Sequence, residues 1–132
     1  MSVNIPESGL IFGEYEESHL FYVEKSSIYN KLGNGICTIE FVLYNKHDKV
    51  LMIEAKSSSP KPSNQEDFDS FIDEIYNKFA HSVELYFSLV LNRIDDNKGE
   101  MPDVFKSTDY SIVEIKLLLV INGHKQEWLS PI

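Results

Sequence analysis

Phe68, Phe71, Ile72, Ile75, Phe79, Val83, Phe87, Val90 and Ile94 recur at steps of three and four, which lines them along one side of a single amphipathic helix. Ser63 or Asn64 is placed to cap its first turn, and Glu66, Asp67 and Asp69 sit where the positive end of the helix dipole favours acids. "SSSPKPSNQ" (57–65) breaks regular structure before it, and "DDNKG" closes it, with Gly99 past the end. A helix of roughly 28 residues is about 42 Å long at 1.5 Å per residue, long for a small domain, so a kink or a protruding end is expected. A chain of 132 residues has room for that helix, one sheet and little else, which predicts a single domain over 1–132. The close of the chain soon after a strand, at "EWLSPI", would also fit a piece of a longer protein.

The strands lie on either side of the helix. "HLFYVEKSSIY" (19–29) begins with an aromatic and aliphatic run that reads as a strand. Residues 37–44 and 49–57 are rich in Val, Ile, Leu, Phe and Tyr and are separated by "NKHD", a connection of hairpin length. After the helix, "VEIKLLLVING" (113–123) is almost continuously apolar and reads as a strand buried on both faces. This order predicts an α/β (α+β) domain: a central mixed sheet of about four strands, with the long helix after the third.

Composition narrows the function classes. No run approaches 18 consecutive apolar residues, and "MSVNIPESGL" lacks the basic and apolar regions of a secretory signal, so neither membrane insertion nor export is expected. A single cysteine, Cys37, forms no internal disulfide; it reads as a small buried residue of a protein in a reducing, cytoplasmic setting. The net charge of −9 and the solitary arginine, Arg93, argue against bulk electrostatic attachment to nucleic acid and against bidentate base reading. Basic residues outnumber acids in one segment, 25–62, which contains both strands of the hairpin.

Those two strands carry the charges that need explaining. Side chains alternate along a strand, so Glu54 and Lys56 share a face with Val50 and Met52, while Leu51, Ile53 and Ala55 face the other way. If Tyr44 and Val50 pair across the turn, Glu40 lies opposite Glu54, with the Cβ atoms about 5 Å apart and Lys56 one step away. Like charges in that relation are destabilising unless something positive lies between them. Lys56 is one candidate; a divalent cation is the other, and oxygen-only ligands suit Mg²⁺ or Mn²⁺ better than zinc.

Glu40, a hairpin, and then Glu54-Ala55-Lys56 resembles the acidic…(D/E)-x-K signature of the PD-(D/E)xK nuclease superfamily, whose fold is restriction endonuclease-like. The resemblance spans roughly 14–123, with a strand order that matches the common core; the first acid is glutamate where aspartate is usual. The N-terminal helix of that core is not evident, although "SGLIFGEYEESHL" could supply a short one. The resemblance implies a DNA-cleaving enzyme, of restriction or phage-defence type. It implies that Glu40, Glu54 and the Ala55 carbonyl bind Mg²⁺ or Mn²⁺, and that Lys56 orients or deprotonates the attacking water. Glu24 is a further candidate ligand, and Lys61 and the serines after Lys56 are candidate phosphate contacts. An acidic chain could gain affinity for DNA from a partner protein or from a further domain.

The remaining polar residues carry less. His47-Asp48 falls in the expected turn, and His19, His81 and His124 show no metal-ligand spacing. Tyr76, Tyr86 and Phe87 are expected to pack rather than to stack on bases, and Cys37 has no cysteine-protease context. The alternative to an enzyme is a non-catalytic module of the same fold, which docks a protein partner or forms a homodimer through its long acidic helix.

Overall fold

A computed structural model of the chain describes residues 2–26, 37–45, 49–57, 60, 63–94, 96 and 99–122. The N-terminal segment forms an antiparallel hairpin, β1 (Ser2–Glu7) and β2 (Leu10–Glu16), so "SGLIFGEYEESHL" supplies a turn and a strand and not the short helix it could have formed. Ser8 and Gly9 make its two-residue turn, both with positive φ (54° and 77°), the combination whose twist matches paired strands. The turn is docked on the main sheet: Ser8 Oγ donates to the Ala55 carbonyl (3.0 Å), and the Asn122 side-chain amide donates to the Ser8 carbonyl (3.3 Å). The positive φ favours glycine at position 9, and a Cβ there would stand 2.6 Å from that amide nitrogen and displace the Asn122 side chain.

The main sheet has four strands in the order β3 (Leu20–Phe21), β4 (Phe41–Asn45), β5 (Lys49–Lys56), β6 (Glu114–Ile121). β4 and β5 pair antiparallel in the register the sequence predicts, with Tyr44 opposite Val50. β6 runs parallel to β5, and a parallel neighbour needs a long crossover, which the helix α1 (Gln65–Val90) supplies. The architecture is therefore mixed α+β, with the long helix after the third strand of the sheet. β3 occupies only part of the apolar run that opens the 19–29 stretch, because the chain turns into a 3₁₀ segment at Val23–Lys25; residues 27–29 lie outside those described. β6 ends the sheet, and Leu117 and Leu118 are 52% and 37% exposed, so it is not buried on both faces. An apolar run does not by itself reveal a strand's place in the sheet.

Alternation along β5 divides the interior. Val50 and Met52 face α1 and pack with Leu85, Tyr86, Leu89, Met101 and Phe105, the last from the short helix α2 (Asp103–Ser107). Ile53 faces the N-terminal hairpin with Phe41 and Ile5. Each large side chain of this kind contributes roughly 1.5–3 kcal/mol when fully buried.

α1 starts where predicted: the Asn64 side chain accepts from the Asp67 N–H. It stops at Val90, earlier than predicted, because Asn92 adopts a left-handed conformation (φ 58°). The Asn92 N–H then bonds the Leu89 carbonyl (3.2 Å) and the Arg93 N–H bonds the Ser88 carbonyl (2.8 Å), a Schellman closure. The buried face also differs from the predicted stripe. Phe68, Phe71, Ile75, Ser82, Leu85 and Leu89 point inward, while Phe79, Val83, Phe87 and Val90 cover its flank. Tyr86 packs as expected, but Tyr76 is 71% exposed. Among the described residues no helix is long and apolar enough to cross a membrane.

Candidate metal centre

The inward face of α1 steps by threes and fours through positions 68, 71, 75, 78, 82, 85 and 89, and position 78 is a lysine. That places Lys78 Nζ against the end of β5, 2.7 Å from Glu54 Oε2. Glu54 is fully buried, and its other oxygen, Oε1, accepts from the Ala55 N–H at 3.0 Å. Lys56 is the base that the sequence offers for this partnership. It pairs instead with Glu74, one turn back on α1, at 2.5 Å, and Lys78 stands 4.0 Å from the same Glu74 oxygen. Lys78 reaches Glu54 from a helix packed over the strand, whereas Lys56 leaves the strand near the rim. Glu54, Lys78, Glu74 and Lys56 thus form a ladder of alternating charge. The hydrogen bond from Lys56 pulls the Glu74 carboxyl below its ordinary range against a smaller effect of burial. Burial pushes the Lys78 pKa down, but the hydrogen bond to Glu54, with the charges of Glu54, Glu74 and Glu40, more than offsets it and the net shift is upward.

Glu40 stands in a different environment. The β4–β5 ladder begins at Phe41–Ile53, and the Glu40 N–H bonds the Ile53 carbonyl (3.1 Å), so the ladder stops one residue short of a Glu40–Glu54 pair. The Glu40 carbonyl accepts from the Glu24 N–H at 3.4 Å, which ties the 3₁₀ segment to the start of β4. The Glu40 side chain is buried, 6% exposed, and among the described residues its Oε2 meets no hydrogen-bond donor. Glu7, from the end of β1, and Glu24 complete a cluster in which one carboxylate oxygen of each lies within 4.8 Å of the others. Tyr22 donates its hydroxyl proton to Glu7, and burial together with that bond holds the tyrosine protonated. Burial, the hydrogen bond with Glu24 and the charges of Glu24, Glu54 and Glu7 push Glu40 up to about 9. At neutral pH, therefore, the Glu40 carboxyl holds its proton unless a cation takes the proton's place.

The structure gathers only part of the expected ligand set. Glu40 and Glu24 share one cluster, although Glu24 sits on a 3₁₀ turn and not on a strand. Glu54 adjoins it closely enough for its charge to act on Glu40; its Oε1 accepts from the Ala55 N–H, and its Oε2 is held by the Lys78 ion pair at 2.7 Å, although without hydrogen-bond geometry. The Ala55 carbonyl accepts from Ser8 Oγ. Sequence reading missed Glu7; the "SG" dipeptide between "VNIPE" and "LIFGEYE" was the available hairpin signal. It also missed Lys78, for which the step of three from Ile75 was the signal. Lys61, His47-Asp48 and His124 lie outside the described residues. Cys37 is half-buried rather than buried, with Sγ 3.6 Å from Nδ1 of His81, a pairing no sequence spacing announced.

The cluster's chemistry follows from its donors. Three carboxylates with hard oxygen ligands, one of them buried with an unsatisfied oxygen, suit Mg²⁺ or Mn²⁺. Compared with protein-family models, curated proteins and solved structures, the chain matches none.

Proposed function

We propose that the chain is a Mg²⁺- or Mn²⁺-dependent nuclease with a restriction endonuclease-like core of PD-(D/E)xK type, cleaving DNA phosphodiester bonds in the cytoplasm, in restriction or phage defence. The observation that carries this reading is Glu40: a buried carboxyl group clustered with other acids, with one oxygen that meets no donor among the described residues. Support also comes from the order of elements, with the first acid just before β4, Glu-x-Lys at the end of β5, and a helix and parallel strand following. The N-terminal hairpin stands where that core usually has a helix.

Glu7, Glu24 and Glu40 would hold the ion, with the charge of Glu54 acting on Glu40 from nearby. Bound there, a divalent cation supplies positive charge for the phosphoryl oxygens and lowers the pKa of water. Lys78 keeps Glu54 in place by their 2.7 Å ion pair. Lys56 is the lysine positioned to leave its partner, because Glu74 is 48% exposed and solvated ion pairs are weak. Released from Glu74, Lys56 can place its ammonium group on a substrate phosphate. With the chain at −9, affinity for DNA would come from the cation, from Lys56 and from a partner protein.

The test is incubation with plasmid and single-stranded DNA plus Mg²⁺ or Mn²⁺, beside Glu40→Gln and Lys56→Ala. Cleavage by the wild type that both variants lose is the expected result. Cleavage that persists in both comes from a contaminant, and absence of both cleavage and Mn²⁺ binding overturns the reading. One observation favours the non-catalytic alternative, a module docking a protein partner or a second copy. Tyr76 is exposed on the outer face of α1 among the exposed acids Asp69 and Asp73.

A further inference from the structure

A cleft of about 480 Å³ opens beside the carboxylate cluster, between β1 and the segment from β3 to the 3₁₀ turn. Val3, Ile5, Leu20 and Tyr22 form its apolar wall, with Glu17 and Lys25 among its polar groups. Its size falls within the range of small-molecule sites, which combine an apolar lining with a few polar groups.

The cleft meets the cluster at Tyr22; Glu7, Glu24 and Glu40 do not line it, and two other lining residues lie near them along the chain. Tyr22 belongs to both, lining the cleft and donating its hydroxyl proton to Glu7. Ile5, on the cleft wall, is two residues from Glu7 on the same side of β1. Lys25 follows Glu24 directly. A nucleotide whose phosphate lies at the cluster therefore has an apolar, partly aromatic recess next to it for a base. The charges set the direction. Glu17 and Glu100 repel phosphate but can accept hydrogen bonds from the amino group of a base, while Lys25 attracts phosphate.

We propose that this cleft takes the base of an unpaired nucleotide beside the scissile phosphate, which makes the preferred substrate a single strand of nucleic acid. The proposal rests on the nuclease reading and names its substrate class. A base paired and stacked in a duplex cannot enter a recess without being extruded, whereas a single strand offers its bases freely. Stacking and apolar contact also give an acidic protein a source of affinity that needs little positive charge.

The test measures binding by fluorescence anisotropy with Ca²⁺ in place of Mg²⁺. The probes are oligothymidylate, oligouridylate and a DNA duplex of the same length. The wild type is compared with Val3→Trp, which fills the cleft without touching Glu7, Glu24 or Glu40, and with Lys25→Ala on its rim. At least one single strand is expected to bind about tenfold or more tightly than the duplex, and the two strands show whether deoxyribose or ribose is preferred. Val3→Trp should weaken that binding about tenfold while leaving Mn²⁺ binding by calorimetry unchanged. Lys25→Ala should weaken it less and reduce its salt dependence. Equal affinity for strand and duplex overturns the inference, and so does Val3→Trp binding the strand as the wild type does. If Mn²⁺ binds and the duplex is cut without strand preference, the nuclease reading stands and the cleft's role falls. If Mn²⁺ does not bind, both fall.

Discussion

Two groups of charged side chains meet at the same end of the sheet, and they are built on opposite terms. Around Glu54 every acid has a base: Lys78 holds Glu54, and Lys56 holds Glu74. Among the described residues the cluster around Glu40 is made of acids, Glu7 and Glu24; Lys78 acts on it by charge but is paired to Glu54, and one buried Glu40 oxygen is left without a donor. A buried charge is tolerable when paired and costly when not. The first group is complete as the chain supplies it. The second is complete only with a proton or with a cation from outside.

The largest effect should come from breaking the complete group. Lys78→Met leaves Glu54 buried without its partner and should cost about 3–5 kcal/mol. Urea unfolding measures that loss, and Lys78→Met with Glu54→Gln should recover much of it, since the charge and its partner then leave together. Should the single variant lose under 1 kcal/mol, the ion pair is not what stabilises this end of the sheet.

Changing the incomplete group should have the opposite sign. In the unfolded chain Glu40 ionises from its ordinary 4.5 upward, whereas the folded protein holds its proton to about 9. The unfolded state therefore binds fewer protons between those values, and without a cation the stability declines as pH rises through that window. The decline is at most about 1.4 kcal/mol per pH unit and ends near the folded value. Glu40→Gln, which keeps the shape and loses the titration, should raise stability at pH 8 by about 1–3 kcal/mol and flatten the pH profile. Urea unfolding at pH 5 and pH 8 checks both statements. Glu40→Gln destabilising at both pH values would show that the carboxyl is a satisfied part of the core.

A smaller loss is expected at Ser82, which sits between the two groups on the inward face of α1. Its hydroxyl accepts from the Ile39 N–H (2.9 Å) and donates to the Lys78 carbonyl (2.6 Å). Ser82→Ala strands a buried N–H just upstream of Glu40 and should cost about 1–3 kcal/mol in urea unfolding. The smallest effect on stability belongs to Lys56→Ala. Its pair with Glu74 lies at the surface and should be worth under about 1 kcal/mol, although the same variant should abolish metal-dependent cleavage. That contrast between stability and activity separates Lys56 from Lys78.

The comparison also shows what the sequence made legible. Strand alternation and the length of "NKHD" gave the β4–β5 register, because pairing across a short turn is a local matter. The helix start was visible in Asn64, but its end was not, since Asn92 terminates it by a left-handed conformation that asparagine permits without requiring. The partner of Glu54 was hidden because Lys78 occupies an inward position of α1, where a search for apolar residues passes to Phe79. Glu7 was hidden for a different reason. It reaches Glu40 only because the Ser8-Gly9 turn docks on β5 and Asn122, contacts separated in the chain by 47 and 114 residues.

The most direct test of the account is a calorimetric titration with Mn²⁺ at pH 7.5, in buffers of different ionisation enthalpy, on the wild type and Glu40→Gln. The wild type should bind one ion per chain and release a proton as the ion replaces it on Glu40, with affinity rising toward pH 9; Glu40→Gln should lose that binding. Mn²⁺ binding that is absent from the wild type, or equal in Glu40→Gln, would contradict the claim that the Glu7, Glu24 and Glu40 cluster is a metal centre.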